Sequence, residues 1–203
     1  MVITGRHVTD EALMTAVREG DLAKLGLLFE RYHVSLFDFL SRVTGDRQAA
    51  EDLVQDIFVR ILKYRATFRD GGSFETWLFR IARNARADYF RTRGQLDPIA
   101  EEALERAEPG AGPMRQLEAD RERSRLKRAL LLLREDKREL IVLARFHGMK
   151  HERIADLLGI EVGAVKVRIH RALKELREIF LELPDGTHAP WTVKQSSRTL
   201  QII

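Results

Sequence analysis

Between residues 94 and 113 the chain carries Pro98, Pro109, Gly110, Gly112 and Pro113 in two clusters, and this stretch limits the fold more than any other. Proline removes a backbone donor and fixes φ, while glycine adds backbone freedom, so no long helix passes through. Its middle, Glu101 to Glu108, can form a short helix, but the flanking composition favours a tether. From Gly94 to Asp120 there are seven acids against Arg106 and Arg115, so the tether is also acidic. The 203 residues suffice for one medium domain or two small helical ones. The break selects the second option: an all-α fold of two small helical domains, 1–93 and 114–183, joined by a flexible linker at 94–113. Residues 184–203 form a C-terminal extension with no readable structure, and no strand pattern or repeat is evident.

The first block is helical throughout. Thr9 can cap a helix that starts at Asp10 and ends near Gly20. Leu22, Leu25, Leu28, Phe29 and Tyr32 then recur at helical spacing up to Phe39 and Leu40, and Gly45-Asp46 is a break. From Gln48 to Tyr64 the residues Ala50, Leu53, Val54, Ile57, Phe58 and Ile61 form an apolar stripe opposite Glu51, Asp52, Gln55, Asp56 and Arg60. Residues 68–73, FRDGGS, read as a turn. Ser73 is a plausible N-cap for a helix from Phe74 to about Phe90, burying Phe74, Trp77, Leu78, Ile81, Ala85 and Tyr89. Five arginines lie between Trp77 and Arg93 against the single acid Asp88.

In the second block, one helix buries Leu117, Leu126, Leu130 and Leu133, and the next runs from Asp136 to Phe146 and stops at Gly148. Residues 151–171, HERIADLLGIEVGAVKVRIHR, carry the pattern of a helix-turn-helix. Ile154, Ala155 and Leu158 share one face of a short helix, and Ala155 is small where a second helix crosses. Gly159 sits at the turn, where positive φ is cheap only without a Cβ. Ile160, Val162, Val165, Ile169 and Leu173 anchor the following helix, which leaves Lys166, Arg168, His170, Arg171 and Lys174 facing solvent. The second helix of such a motif enters the major groove with its N-terminal half nearest the bases. Lys166 and Arg168 are therefore candidates for base edges or nearby phosphates, and Arg171 and Lys174 for phosphate clamps.

Composition excludes several other roles. With no cysteine there are no disulfides, thiolate metal sites or cysteine nucleophiles. The six histidines (7, 33, 147, 151, 170, 188) show no metal-ligand spacing, no phosphate-binding glycine motif occurs, and no cofactor is expected. His147 and His151 read as surface or capping residues. No apolar run is long enough to cross a bilayer and no signal peptide is visible, so the expected location is the cytoplasm, without membrane insertion. The formal charge of +4 is a weak hint of a polyanionic partner, and two basic blocks separated by an acidic stretch are a stronger one.

With both halves in view, the chain resembles an alternative sigma factor of the extracytoplasmic-function (ECF) type, within the sigma-70 family. AAEDLVQDIFVRILKY (49–64) and FETWLFRIARNARADYFR (74–91) match the family's region 2. REDKRELIVLARFHGMKHERIADLLGIEVGAVKVRIHRALKELR (134–177) matches region 4, and the likeness spans roughly residues 9–180. The resemblance implies a non-enzymatic subunit that joins core RNA polymerase, binds promoter DNA, serves stress responses and is held inactive by an anti-sigma factor. It implies that Asp52, Gln55 and Asp56 dock on a polymerase coiled coil. It assigns the −10 element to the loop around Phe68 to Ser73 and to Arg80, Arg83, Asn84, Arg86 and Arg91. It assigns the −35 element to the recognition helix bearing Lys166, Val167, Arg168, His170, Arg171 and Lys174. Phe68 is the loop candidate for stacking on a base, with a core role equally open, whereas Trp77 reads as core.

The chain departs from the family at several positions. Arg134 replaces a usual proline, Lys150 replaces a capping Ser or Thr, and Arg153 replaces a usual Glu. Ala164 and Val167 remove two hydroxyls from the recognition helix, which predicts an atypical or weaker −35 preference. Two rival readings remain: a helix-turn-helix regulator without initiation activity, and a sigma-like protein that sequesters an anti-sigma factor.

Overall fold

The computed structural model describes residues 8–93 and 114–184, with the side chains of 93 and 114–120 left aside. The acidic tether, its possible short helix, Leu117 and the tail beyond Pro184 lie outside the described residues. The described chain is all-α. The first half holds α1 (Asp10–Glu19), α2 (Lys24–Thr44), α3 (Arg47–Tyr64) and α4 (Phe74–Arg93), with a 3-10 turn at Arg65–Thr67. The second half holds α5 (Met114–Leu132), α6 (Glu135–Ile141), α7 (His151–Leu158) and α8 (Val162–Glu182).

Local chemistry sets these boundaries. The Thr9 hydroxyl accepts a hydrogen bond from the Ala12 N–H at 3.2 Å, and Gly20 closes α1 at a φ of 111°. Asp46 caps α3 through the Ala49 N–H at 3.0 Å, and Ser73 caps α4 through the Thr76 N–H at 3.4 Å. The predicted α3 stripe is buried throughout, and it packs on Leu36, Phe39 and Leu40 of α2 and on Phe74 and Leu78 of α4. Each such large side chain contributes about 1.5–3 kcal/mol relative to exposure. Arg18 reaches from α1 to the Phe68 carbonyl at 2.9 Å and the Asp70 carboxylate at 2.8 Å, fixing the turn before α4.

Periodicity places two leucines and a phenylalanine too deep. Leu22 precedes α2 and is exposed, as are Leu126 and Phe29, the latter although its ring meets Phe58 edge-on. Phe79 and Ala82 are buried although they lie off the expected α4 stripe. The cause is two-sided packing: α4 has the first half on one flank and α7 on the other.

The two halves are packed together, and one apolar core runs through both. Arg138 of α6 donates to the Val43 carbonyl of α2 at 2.6 Å and to the Leu131 and Leu133 carbonyls at 2.8 and 2.9 Å. Leu131 of α5 also lies against Gly45, where an added Cβ would come within 2.8 Å of its side chain. After Ile141 the helix widens into a π turn at Val142–Phe146, closed by the His147 N–H on the Val142 carbonyl at 3.1 Å. The turn sets the Phe146 ring under the Arg42 guanidinium, 4.2 Å from the ring centroid.

It also carries His147 into the joint, correcting its expected surface or capping place: its side chain is only 8% exposed. The imidazole Nδ1 lies 3.2 Å from the Ser35 hydroxyl, Nε2 lies 3.6 Å from Asp38, and the Phe39 and Phe79 rings flank it. Burial pushes its pKa down; Asp38 opposes this, Arg42 reinforces it and Glu75 opposes it. A base with a lowered folded-state pKa binds more protons when unfolded. Its stabilisation is therefore complete above the ordinary value of about 6.5 and lost as pH falls through the lowered one. The thermal midpoint should fall between pH 7.5 and 5.5, with a slope of at most about 1.4 kcal/mol per pH unit from this group. Melting curves of His147→Gln should be flatter over that range, and an unchanged slope would remove the histidine from the account.

Candidate nucleic-acid interface

The helix-turn-helix is built as its sequence requires. Gly159 takes a φ of 65°, and the Gly159 and Ile160 N–H groups close on the Asp156 and Ala155 carbonyls at 3.3 and 3.0 Å. Nothing lies within 4 Å of an added Cβ there, so a side chain would suffer from backbone strain alone. Gly159→Ala should cost about 1–2 kcal/mol in a chemical denaturation curve, with Gly159→Asn costing less. Lys150 stands at the α7 N-cap and supplies no side-chain bond, as its replacement of Ser or Thr implied.

Val165, Ile169, Ala172 and Leu176 of α8 are buried against α5, α6 and α7. That leaves Lys166, Val167, Arg168, His170, Arg171 and Lys174 exposed along one flank. Among the described residues, Lys166, Arg168, His170 and Arg171 make no ion pair or side-chain hydrogen bond, and Lys174 lies only 3.9 Å from Glu178. Lys166, Arg168 and Arg171, basic side chains without ion-pair partners on a projecting helix, favour a polyanion.

The α4 arginines divide into two sets. Arg80, Asn84 and Arg91 are exposed, and Arg91 pairs with Asp88 at 2.8 Å. Hydrogen bonding from Arg60, at 2.6 Å, holds the Asp88 carboxyl below the usual carboxylate range. Arg60 also bonds Asp56 at 2.7 Å. Arg80 touches the second half at its edge, bonding the Asp156 carbonyl at 3.3 Å, whereas Arg83 and Arg86 are turned into it. Arg83 meets Glu139 at 2.5 Å, and Arg86 meets Glu135 at 2.5 Å and Glu139 at 3.6 Å. Arg86 is 5% exposed, so in this arrangement it is not open to a nucleic acid.

Phe68 is likewise corrected: at 3% exposure it belongs to the core, edge-on to Phe74 and Trp77 at 6.2 and 5.5 Å. Trp77 is half-buried against the same cluster and donates to the Thr67 hydroxyl at 3.2 Å. On α3, Asp52 and Gln55 are exposed and Asp56 is half-buried beside Arg60. Sequence reasoning missed Glu139, a carboxylate in register with the buried Val142 and Leu143 at steps of three and four. An acid on an apolar stripe was the available signal.

Among the described residues, no helix is long and apolar enough to cross a membrane. Nor does any group of three or more His, Asp or Glu there have the arrangement of a metal site.

Two family models match the chain: Sigma-70 region 2 over residues 28–95 and Sigma-70, region 4 over residues 123–176. RNA polymerase sigma factor CarQ of Myxococcus xanthus is 34% identical over 173 residues, covering 84% of this chain and 97% of that protein. The ECF RNA polymerase sigma-E factor of Escherichia coli K12 is 31% identical over 177 residues, covering 82% of this chain and 91% of that one. Among solved structures, the sigma factor RpoE of Bartonella quintana, crystallised with the anti-sigma factor NepR, is similar with a TM-score of 0.59 at 26% identity. That likeness covers 77% of this chain and 96% of RpoE.

Proposed function

This chain belongs to the sigma-70 family of RNA polymerase sigma factors, in its ECF branch, and from that premise we propose that it joins core RNA polymerase and recognises the −35 and −10 elements of a promoter class. As a member of that family it is not an enzyme. During initiation the bond chemistry belongs to the polymerase, and this subunit supplies recognition and strand-separation energy.

The observation that carries the reading is the set of basic side chains without ion-pair partners on α8, Lys166, Arg168 and Arg171, projected by a tight glycine turn from α7. Lys166 and Arg168, nearest the start of α8, face base edges or adjoining phosphates of the −35 duplex, with Val167 beside them. His170, Arg171 and Lys174 follow the backbone. Arg80, Asn84 and Arg91 form the accessible path for the −10 strand, joined by Arg83 and Arg86 once the second half is displaced. Asp52, Gln55 and Asp56 dock on the polymerase.

An anti-sigma factor is the expected regulatory partner, and the likeness to RpoE, solved with NepR, supports it. The cytoplasm is the expected location. The boundaries proposed for the two units remain 1–93 and 114–183, with 94–113 as the tether and 184–203 as an extension. Reconstitution with core polymerase and a promoter library, followed by start-site sequencing, tests this reading. Transcripts should begin at defined sites sharing −35 and −10 elements. Tight duplex binding without any initiation would instead indicate a regulator that leaves opening to other factors.

A further inference from the structure

The solvent face of α8 is not polar throughout. Val165, Ile169, Ala172 and Leu176 mark its buried side. At about 100° per residue, Val167 leaves the helix roughly 160–200° away from Val165 and Ile169, on the crest of the opposite face. Val167 is 49% exposed and lies in the second turn of α8. Lys166 and Arg168 leave the helix about 100° to either side of it. An exposed valine is ordinary on a protein surface. This one occupies the part of a helix-turn-helix that comes nearest the base edges. One turn earlier on the same crest, Gly163 has no positive φ, and an added Cβ there would meet nothing within 4 Å. Neither backbone conformation nor packing within the described residues calls for a glycine, which weakens a helix relative to alanine. What it provides is a low stretch of backbone ahead of Val167, over which a base pair can come close.

The chemistry of the base edges selects a partner for this side chain. In the major groove guanine presents two acceptors, cytosine an amino donor, and adenine an acceptor and a donor; thymine alone presents a methyl group, beside its O4 acceptor. Valine has no donor or acceptor on its side chain, so pressing it on an amino or carbonyl edge strips water without replacing the hydrogen bond. Against a methyl group it removes apolar surface from water on both partners. Resting on the reading of α8 as the −35 helix, we infer that Val167 is a specificity-determining residue that selects a thymine through apolar contact with its C5-methyl group. Branching at Cβ restricts the valine to one main rotamer in a helix, so little side-chain freedom is lost on contact. Lys166 and Arg168 hold the crest over that base from its two flanks.

Deoxyuridine differs from thymidine only in lacking this methyl group, which makes the test atom-specific. Each thymine of the preferred −35 duplex, on both strands, is replaced one at a time. Binding is measured by competition, using the full-length chain assembled on core polymerase. At one position the replacement should weaken binding about four-fold, the worth of one buried carbon group. Val167→Ser should erase the penalty at that position and leave the effect of every other replacement unchanged, a coupling that a merely structural role would not produce. Val167→Ala, which keeps one carbon, should retain part of it. Exposure of the side chain keeps both variants folded, and unchanged thermal midpoints check this. If the parent separates preferred from scrambled −35 sequences yet tolerates uracil everywhere, or selects an element without thymine, α8 still reads the duplex and the methyl contact is overturned. A uracil penalty that persists in full in Val167→Ser overturns it equally. If the parent does not separate the two sequences at all, the reading of α8 as the −35 helix fails, and the contact with it.

Discussion

Arg138→Ala should lower the thermal unfolding midpoint by roughly 6–20 °C, the shift that a loss of about 3–5 kcal/mol produces in a chain of this size. Burial is the main cause that lowers the pKa of this guanidinium, with Glu135 opposing that effect and Arg86 adding to it. Three backbone carbonyls, from Val43, Leu131 and Leu133, offset the cost by accepting its hydrogen bonds. Leu131 and Leu133 stand at the end of α5 and Val43 near the end of α2, so a single side chain of α6 ties two helix ends together. Truncation leaves those carbonyls without the donor and opens space beside Gly45 and Leu131. Arg138→Lys keeps a charge but cannot fork to three acceptors, so it should recover only part of the loss. Differential scanning calorimetry of the two variants decides the point. A shift below about 2 °C for Arg138→Ala would mean that water replaces the side chain at little cost.

The second large effect is on duplex affinity. Arg168→Ala should weaken binding to the preferred −35 duplex by about 10- to 100-fold if its guanidinium makes a forked contact to a base, since such contacts discriminate by about 1–3 kcal/mol. Lys166→Ala should act in the same direction. If it contacts phosphate, the loss will be similar on every sequence and the salt dependence will become shallower by about one counterion. Exposure without any competing ion pair is the structural reason for expecting large effects here. Binding curves on matched and scrambled duplexes at several salt concentrations separate the two roles. Equal affinities for parent and both variants would dismiss α8 as the reading helix.

Much of the helical framework was legible because its punctuation is chemical. Thr9, Asp46 and Ser73 occupy capping positions, Gly20, Gly45 and Gly159 adopt positive φ, and the α3 stripe is buried as its spacing predicts. The joint was not legible, because periodicity describes each helix alone and says nothing of which helices meet. The tether suggested two separable units, so a second buried flank on α4 had no reason to be expected. Consequently Phe79 lies off the stripe that spacing predicts, Arg86 reads as open to a strand, and Phe68 reads equally as loop or core although α1 and α4 enclose it. His147 was misread for a related reason. Beside Gly148 it looks like a helix end, but the widened turn swings it into α2.

That widened turn has a consequence for how the chain tolerates length changes. A π turn amounts to one residue inserted into an α-helix, and each residue advances the helix by about 100°. Deleting a single position within Val142–Phe146 would restore ordinary winding and swing everything downstream out of phase with the helices behind it. Each half would keep its own apolar stripe, yet Met149 and α7 would aim elsewhere, and the reading helix would point along a new bearing. Five residues thus act as an angular spacer, tuned to the orientation rather than to the strength of the assembly.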